Sequence, residues 1–189
     1  MIKFENVSVT YPGGVEALKD LNLEIKDGDF IIIVGLSGAG KSTLLRTVNN
    51  LVKPSTGSVY LEGKNVTSAK KKELKKIRSQ IGMIFQTFNL VNRSTVLKNV
   101  LTGRLSNIST IRSILGLWPK DQKEMAFEAL NQVEILEKAY VRASNLSGGQ
   151  QQRVGIARAL SQKPKVMLAD EPVASLDPIT SRVVMSYLK

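Results

Sequence analysis

The sequence predicts an α/β fold, with a small antiparallel sheet and a helical insertion added to an α/β core. Apolar and polar residues alternate through much of residues 1–67, which is typical of half-buried strands. The apolar run 30–34 leads into a glycine-rich loop and then a helical pattern, as in a core strand followed by a helix. Between about residues 88 and 143, strand signals give way to helical spacing.

The individual elements follow in chain order. Alternation predicts antiparallel strands in 2–10, 21–25 and 57–62, with a helix opening at Lys41 between them. The run 81–85 predicts a strand that ends at a polar residue. Further predictions are a helix over 125–133, a break at 116–119 and a strand over 165–169. We expect one domain of three parts: 1–87 (β subdomain and loop-bearing core), 88–146 (helical subdomain) and 147–189 (remainder of the core).

Composition agrees with a single compact domain. The 189 residues include no cysteine, which excludes disulfides and thiolate metal sites. No apolar run approaches the length of a membrane span and no signal-peptide pattern is visible, so we expect a soluble, cytosolic chain. The net charge of +11 includes a dense basic run at 70–78. That run permits nucleic-acid or lipid binding, but Leu74 and Ile77 at helical spacing favour an amphipathic helix with a solvated face, so nucleic acid is not expected as a partner.

The glycine-rich loop has the spacing G-x-x-x-x-G-K-[ST], which predicts a phosphate cradle. Glycines let backbone N–H groups close around a polyphosphate, Lys41 reaches the terminal phosphates, and the Ser42 hydroxyl can hold Mg²⁺. A flexible glycine and serine turn is the disfavoured alternative. The predicted nucleotide-binding residues are Gly35, Leu36, Ser37, Gly38, Ala39, Gly40, Lys41, Ser42 and Thr43.

Two adjacent carboxylates, Asp170 and Glu171, follow the apolar run 166–169. An aspartate at a strand's carboxyl end can hold a hydrated Mg²⁺, which takes only one or two carboxylates. Glu171 could then polarise a water in line with a γ-phosphate, acting as a general base. Alone, such a pair is an ordinary solvated strand end; together with the phosphate loop, it predicts a catalytic site.

The string 146–150, Leu-Ser-Gly-Gly-Gln, precedes a helical pattern and predicts a second anion site. Ser147 is the expected helix N-cap, so free N–H groups would converge at the positive helix end. A capped helix alone would explain Ser147 and Gly148 but not the whole string. A second site makes sense if it meets a nucleotide carried by another copy. The chain resembles the ATPase subunits of ABC transporters, whose signature motif is this string.

The resemblance implies ATP and Mg²⁺ as cofactors and a head-to-tail homodimer in which each signature, Ser147, Gly148, Gly149 and Gln150, completes the partner's site. It also implies integral-membrane permease subunits, an indirect solute-binding partner, and a location on the cytoplasmic face of the membrane. By the same resemblance Tyr11 stacks on adenine, Gln86 contacts Mg²⁺ and Asp177 belongs to an interface loop. Tyr11 is equally an ordinary strand-end aromatic, and Asp177 also fits a helix cap before Pro178.

The stretches 88–105, 115–119 and 171–178 are similar to the ATPases of phosphonate importers. The resemblance implies ATP hydrolysis coupled to phosphonate uptake. Importers of phosphate-like anions or polar amino acids, a soluble ABC ATPase acting on nucleic acid, and a nucleotide-binding module without catalysis remain alternatives. The chain has no histidine, whereas the family has a switch histidine beyond the next strand. We therefore expect missing C-terminal strands and impaired turnover.

Overall fold

A computed structural model describes residues 1–173, 181–182 and 185–186. The chain divides into two compact units, 1–78 and 79–189, which are described separately below. The three-part division expected from the sequence stays a prediction.

The first unit contains the predicted antiparallel sheet. Its strands are β1 (Ile2–Thr10), β2 (Glu16–Ile25), β3 (Thr56–Leu61) and β4 (Lys64–Asn65), hydrogen-bonded in the order β2-β1-β3-β4. The central strand β1 pairs with both neighbours, so that Ile2 lies opposite Ile25 on one side and Leu61 on the other. The antiparallel β subdomain is thereby confirmed.

A bulge in β1 explains why its apolar pattern changes phase. Ile2 and Phe4 are buried and so are Val7 and Val9, which a regular strand would place on opposite faces. Asn6 lies between the two pairs with a left-handed φ of 48°, and the pairing register shifts there. Gly57 approaches this bulge so closely that a Cβ would lie 2.2 Å from the Asn6 carbonyl oxygen. Glycine is therefore required opposite the bulge.

Two helices complete the first unit: α1 (Lys41–Val48) and α2 (Lys71–Arg78). Ile77 is buried and the lysines of α2 are exposed, as the amphipathic interpretation predicts. Arg78 donates from Nε to the Asn49 carbonyl (2.8 Å) and from Nη2 to the Asn50 carbonyl (2.9 Å). Since a helix leaves its last carbonyls without partners, this arginine ties α2 to the end of α1.

Residues 30–34 do not form the buried strand that their apolar character predicts. They have no regular secondary structure, and Val34 is 85% exposed. A core strand needs hydrogen-bonded neighbours and cover on both faces. No strand among the described residues pairs with this run, so its sequence pattern lacks the tertiary partners that the prediction assumed.

The second unit pairs two short strands and packs helices around them. Strands β5 (Ile81–Ile84) and β6 (Val166–Ala169) are parallel, with Ile84 opposite Ala169. The helices are α3 (Val96–Leu101), α4 (Thr110–Ile114), α5 (Lys120–Gln132) and α6 (Gly148–Ser161). Short 3₁₀ helices span Thr102–Asn107, Leu136–Lys138 and Ala143–Asn145. The predicted helical insertion is confirmed.

The core of this unit is an apolar cluster between α3, α5, α6 and β5, with Val100, Leu130, Val154 and Ile156 at most 1% exposed. Within the described ranges, no helix is both long and apolar enough for a membrane crossing.

A buried arginine holds the C-terminal end of α6. Arg104 donates from Nη1 to the Ser161 carbonyl (2.6 Å) and from Nε to Oε1 of Gln122 on α5 (2.8 Å). Burial lowers the pKa of Arg104, and the nearby Asp121 carboxylate opposes that shift. The arginine therefore joins the segment before α4 to both α5 and α6.

Candidate functional site

The glycine-rich loop of the first unit turns over residues 37–40 and passes directly into α1. Gly38 (φ 79°) and Gly40 (φ 86°) both have left-handed backbone conformations, which other residues rarely adopt. A Cβ on Gly40 would lie 2.3 Å from the Ala17 carbonyl oxygen of β2, whereas one on Gly38 would meet nothing within 4 Å. Gly40 is therefore required both by conformation and by close packing.

Lys41 folds back over this loop. Its Nζ donates to the carbonyl oxygens of Gly35 and Leu36, both at 2.8 Å. The ammonium group thus lies beside the loop's own backbone, where a bound phosphate would compete for it. Since Lys41 opens α1, the positive end of the helix adds to the attraction for an anion.

Tyr11 lies near the same helix. Its hydroxyl shares a 3.1 Å hydrogen bond with Oγ1 of Thr43, which is buried in the first turn of α1. The sequence identified Tyr11 and Thr43 separately, and the structure brings them together. The ring remains 38% exposed, and its stacking role stays a prediction.

In the second unit, Gln86, Asp170 and Glu171 follow the carboxyl ends of β5 and β6. Because the two strands are parallel and in register, these ends meet at one edge. Asp170 is 2% exposed and its N–H donates to the Ile84 carbonyl (2.9 Å). Glu171 is exposed, and its Oε2 accepts a 2.7 Å hydrogen bond from Nε2 of Gln86. The two adjacent carboxylates therefore lie in different environments.

Glu171 also has a left-handed backbone, with φ 49°. This conformation is uncommon outside glycine and costs about 1–2 kcal/mol. Gln86 and its surroundings therefore hold the carboxylate on a strained turn. Nothing in the sequence around Glu171 predicts this left-handed conformation.

The Leu-Ser-Gly-Gly-Gln string forms a capped helix start. Ser147 is the N-cap of α6, its Oγ accepts from the Gln150 N–H (3.4 Å), and its own N–H donates to Oε1 of Gln150 (3.0 Å). This reciprocal pair is a capping box. The N–H groups of Gly148 and Gly149 have no partner within the helix and add to its positive end.

Two further residues of α6 contact this site and were missed by the sequence prediction. Gln152 is 2% exposed and donates from Nε2 to the Pro172 carbonyl (2.7 Å). Arg158 donates to the carbonyls of Asn89 (2.6 Å) and Phe88 (3.0 Å), just after Gln86, and burial lowers its pKa. The signal for Gln152 is its position on the buried stripe of α6, four residues before Ile156.

The predicted residues thus form two sets, one in each unit. The first unit contains Tyr11 and the loop 35–43, and the second contains Gln86, Asp170, Glu171 and 147–150. Asp177 lies outside the described residues. The catalytic, nucleotide-binding and metal-binding roles of these residues stay predictions.

A phosphate-binding loop, a strand-end carboxylate pair and a glycine-rich capped helix define a P-loop ATPase. Residues 18–174 match the family described as ABC transporter. The chain therefore belongs to the ABC transporter family and is its ATP-hydrolysing subunit.

The curated relatives include the phosphonates import ATP-binding protein PhnC of Bacillus thuringiensis subsp. konkukian, 60% identical over 189 residues, which are all of this chain and 74% of the relative. Another is PhnC 3 of Halalkalibacterium halodurans, 56% identical over all of this chain and 73% of the relative.

Among solved structures, the dimeric bacterial ABC transporter cassette MJ0796 has a TM-score of 0.89 and 40% identity, covering 100% of this chain and 81% of its own. The same cassette is also described as a post-hydrolysis dimer bound to ADP and Pi, with a TM-score of 0.88. These similarities confirm the ABC ATPase fold and nucleotide binding.

Proposed function

We propose that this chain drives phosphonate import, working as a homodimer with permease subunits on the cytoplasmic face of the membrane and with a solute-binding protein on the other side. The observation that carries the proposal is the identity of 56–60% across all 189 residues to several phosphonate import ATP-binding proteins. An ABC ATPase of another kind would share the ABC motifs with these relatives, but it would not be this similar to them along the whole chain.

In the first unit, the chain would hold the triphosphate by its loop. The left-handed Gly38 leaves open space where a Cβ would lie, which keeps the loop accessible to a ligand's oxygens, while Gly40 lets the loop pack against the Ala17 carbonyl. Lys41 would exchange its two backbone carbonyl partners for phosphate oxygens. Tyr11, tied to Thr43, would stack on the adenine ring.

Each unit offers oxygen ligands of the kind that Mg²⁺ prefers. The first unit has the Ser42 hydroxyl, and the second has the Gln86 amide oxygen and the Asp170 carboxylate. Gln86 donates to Glu171 through Nε2, which leaves its Oε1 available as a ligand. When bound, the ion would neutralise charge that develops on the phosphates.

Glu171 is the proposed general base. Its carboxylate is exposed and accepts a hydrogen bond from the Gln86 amide, which orients it at the strand edge. From there it would accept the proton of a water attacking the γ-phosphate, a step typically worth about 10²–10⁴ in rate.

A second copy would complete each site. Ser147 and the N–H groups of Gly148 and Gly149 form an exposed, positive helix start, and Gln150 fixes the Ser147 side chain. This geometry suits the phosphates of a nucleotide held by another protomer. Two sites would then form between two copies in a head-to-tail pair, with Asp177 at the same interface.

The permease contact is proposed on the apolar arm, which we define as Leu105, Ile111, Ile114, Leu115 and Leu117, all 40–79% exposed. Helix α4, in its centre, buries none of its residues. Residues 79–120 of this unit include no Asp or Glu, while Arg93, Lys98, Arg112 and Lys120 are exposed. Such a surface fits an amphipathic helix that carries acidic residues.

Transport in reconstituted vesicles tests the proposal. With the permease and the binding protein present, methylphosphonate should stimulate ATP hydrolysis and its own uptake, whereas phosphate and glutamine should do neither. Stimulation by one of those solutes alone would reassign the cargo. Replacing Ile114 by Glu should abolish copurification with the permease, while Leu51→Glu, an exposed apolar residue of the first unit, should leave it intact.

A further inference from the structure

Gln152 makes an unusual contact for a helical glutamine. Its side chain is 2% exposed, among the apolar residues of α6, and its Nε2 lies 2.7 Å from the Pro172 carbonyl oxygen. Leaving a buried amide donor without a partner is unfavourable. This hydrogen bond therefore holds both the Gln152 side chain and the Pro172 carbonyl in place. Pro172 directly follows Glu171, the proposed base.

The segment that Gln152 holds is strained. Glu171 has a φ of 49°, a conformation that a glutamate adopts only where its surroundings impose it. Pro172 has no N–H, so its carbonyl is the only hydrogen-bonding group that its backbone offers. The bond from Gln152 therefore acts on the residue next to the strained turn.

The same helix also supports the partner of Glu171. Arg158, six residues after Gln152, donates to the carbonyls of Phe88 and Asn89. These residues follow Gln86, whose amide donates to Glu171. Helix α6 is thus hydrogen-bonded to both sides of the Gln86–Glu171 pair.

We propose that Gln152 is a positioning residue for ATP hydrolysis: it holds the Glu171 turn through the Pro172 carbonyl, and so couples the orientation of the base to that of the helix beginning at Ser147. The proposal rests on the base role of Glu171. Gln152 itself contacts no reacting atom. Gln152 is also not among the residues proposed to hold the nucleotide.

Two substitutions remove the donor. Gln152→Leu keeps the volume and loses the hydrogen bond; kcat should fall at least about tenfold while KM for ATP changes less than about twofold. Gln152→Glu keeps the shape, but its ionised carboxylate cannot donate. A buried carboxyl has a raised pKa, so lowering the pH from about 8 to about 6 should protonate it and restore the bond.

The kcat of Gln152→Glu, divided by the wild-type kcat at the same pH, should therefore rise as the pH falls. Gln132→Glu, the same change at an exposed position of α5 with no side-chain bond to this site, is the control and should keep a constant ratio. Thermal unfolding of all variants separates positioning from misfolding, because a merely structural Gln152 would lower stability without the pH rescue.

Glu171→Gln is measured alongside. If it loses hydrolysis but Gln152→Leu keeps the wild-type kcat, the positioning role is wrong and the base stands. A flat pH ratio for Gln152→Glu also overturns the positioning role. If Glu171→Gln hydrolyses at the wild-type rate, the proposed base itself is wrong, and the positioning role falls with it.

Discussion

Replacing Gly40 by alanine tests whether the phosphate loop depends on one close backbone approach. The new Cβ would lie 2.3 Å from the Ala17 carbonyl oxygen and 3.3 Å from Cδ2 of Leu18. The carbonyl belongs to β2, which is paired along β1, so it cannot move without disturbing the sheet. The alanine would also have to keep a φ of 86°.

The magnitude follows from comparison with Gly38. Both glycines have left-handed backbones, so alanine at either position costs about 1–2 kcal/mol of strain, of which the stiffer unfolded chain offsets up to about 1 kcal/mol. Only Gly40 adds a clash, and overpacking of this kind costs about 1–3 kcal/mol. The Gly40→Ala variant should therefore be less stable than Gly38→Ala by about 1–3 kcal/mol.

Urea unfolding of the two variants measures the difference, and a fluorescent ATP analogue measures nucleotide affinity. Gly28→Ala, at φ 85° with nothing within 4 Å, controls for strain outside the loop and should leave affinity unchanged. Gly40→Ala should weaken binding more than Gly38→Ala, because it moves the start of α1. Equal unfolding free energies for Gly40→Ala and Gly38→Ala would refute the role of the Ala17 carbonyl.

Three further outcomes are expected. Glu171→Gln should bind ATP and form persistent dimers, with single-turnover hydrolysis slowed about 10²–10⁴-fold; a wild-type rate would remove the base role. Ser147→Ala should lose about 1 kcal/mol of stability in urea unfolding and also ATP-dependent dimerisation, whereas Thr95→Ala, the same cap loss on α3, should lose only stability. Arg158→Met should cost about 1.5–3 kcal/mol in the same assay, since the half-buried Phe88 carbonyl and the exposed Asn89 carbonyl lose a charged donor; a loss below about 1 kcal/mol would contradict it.

Local patterns were sufficient where neighbouring residues determine the structure. Ser147 caps α6 through its own third neighbour, Gln150, so spacing alone predicts the helix start. The apolar runs before Gln86 and Asp170 also predict two strand ends, although the pairing of those ends at one edge is a finding of the structure. The phosphate loop is likewise a local motif.

Sequence patterns did not predict the structure where contacts between residues far apart in the chain determine it. The apolar run 30–34 predicts a buried strand, yet all of its side chains except the half-buried Ile33 are exposed, because strand formation needs paired neighbours. The bonds of Gln152 to Pro172 and of Arg158 to Asn89 span 20 and 69 positions, and no spacing rule predicts them. The bulge at Asn6 changes the face of β1 without any glycine or proline in the strand itself.

Helix α6 is fastened at its far end by Arg104, which lies next to Leu105 of the apolar arm. Its 14 residues span about 21 Å, from Gly148 to Ser161. Because α6 is held at this end, a force on the apolar arm would tilt the helix. The displacement would be largest at the opposite end, at Ser147. Under the proposed function, docking of a permease on the apolar arm would therefore reorient the helix start at Ser147 while α6 stays fully helical.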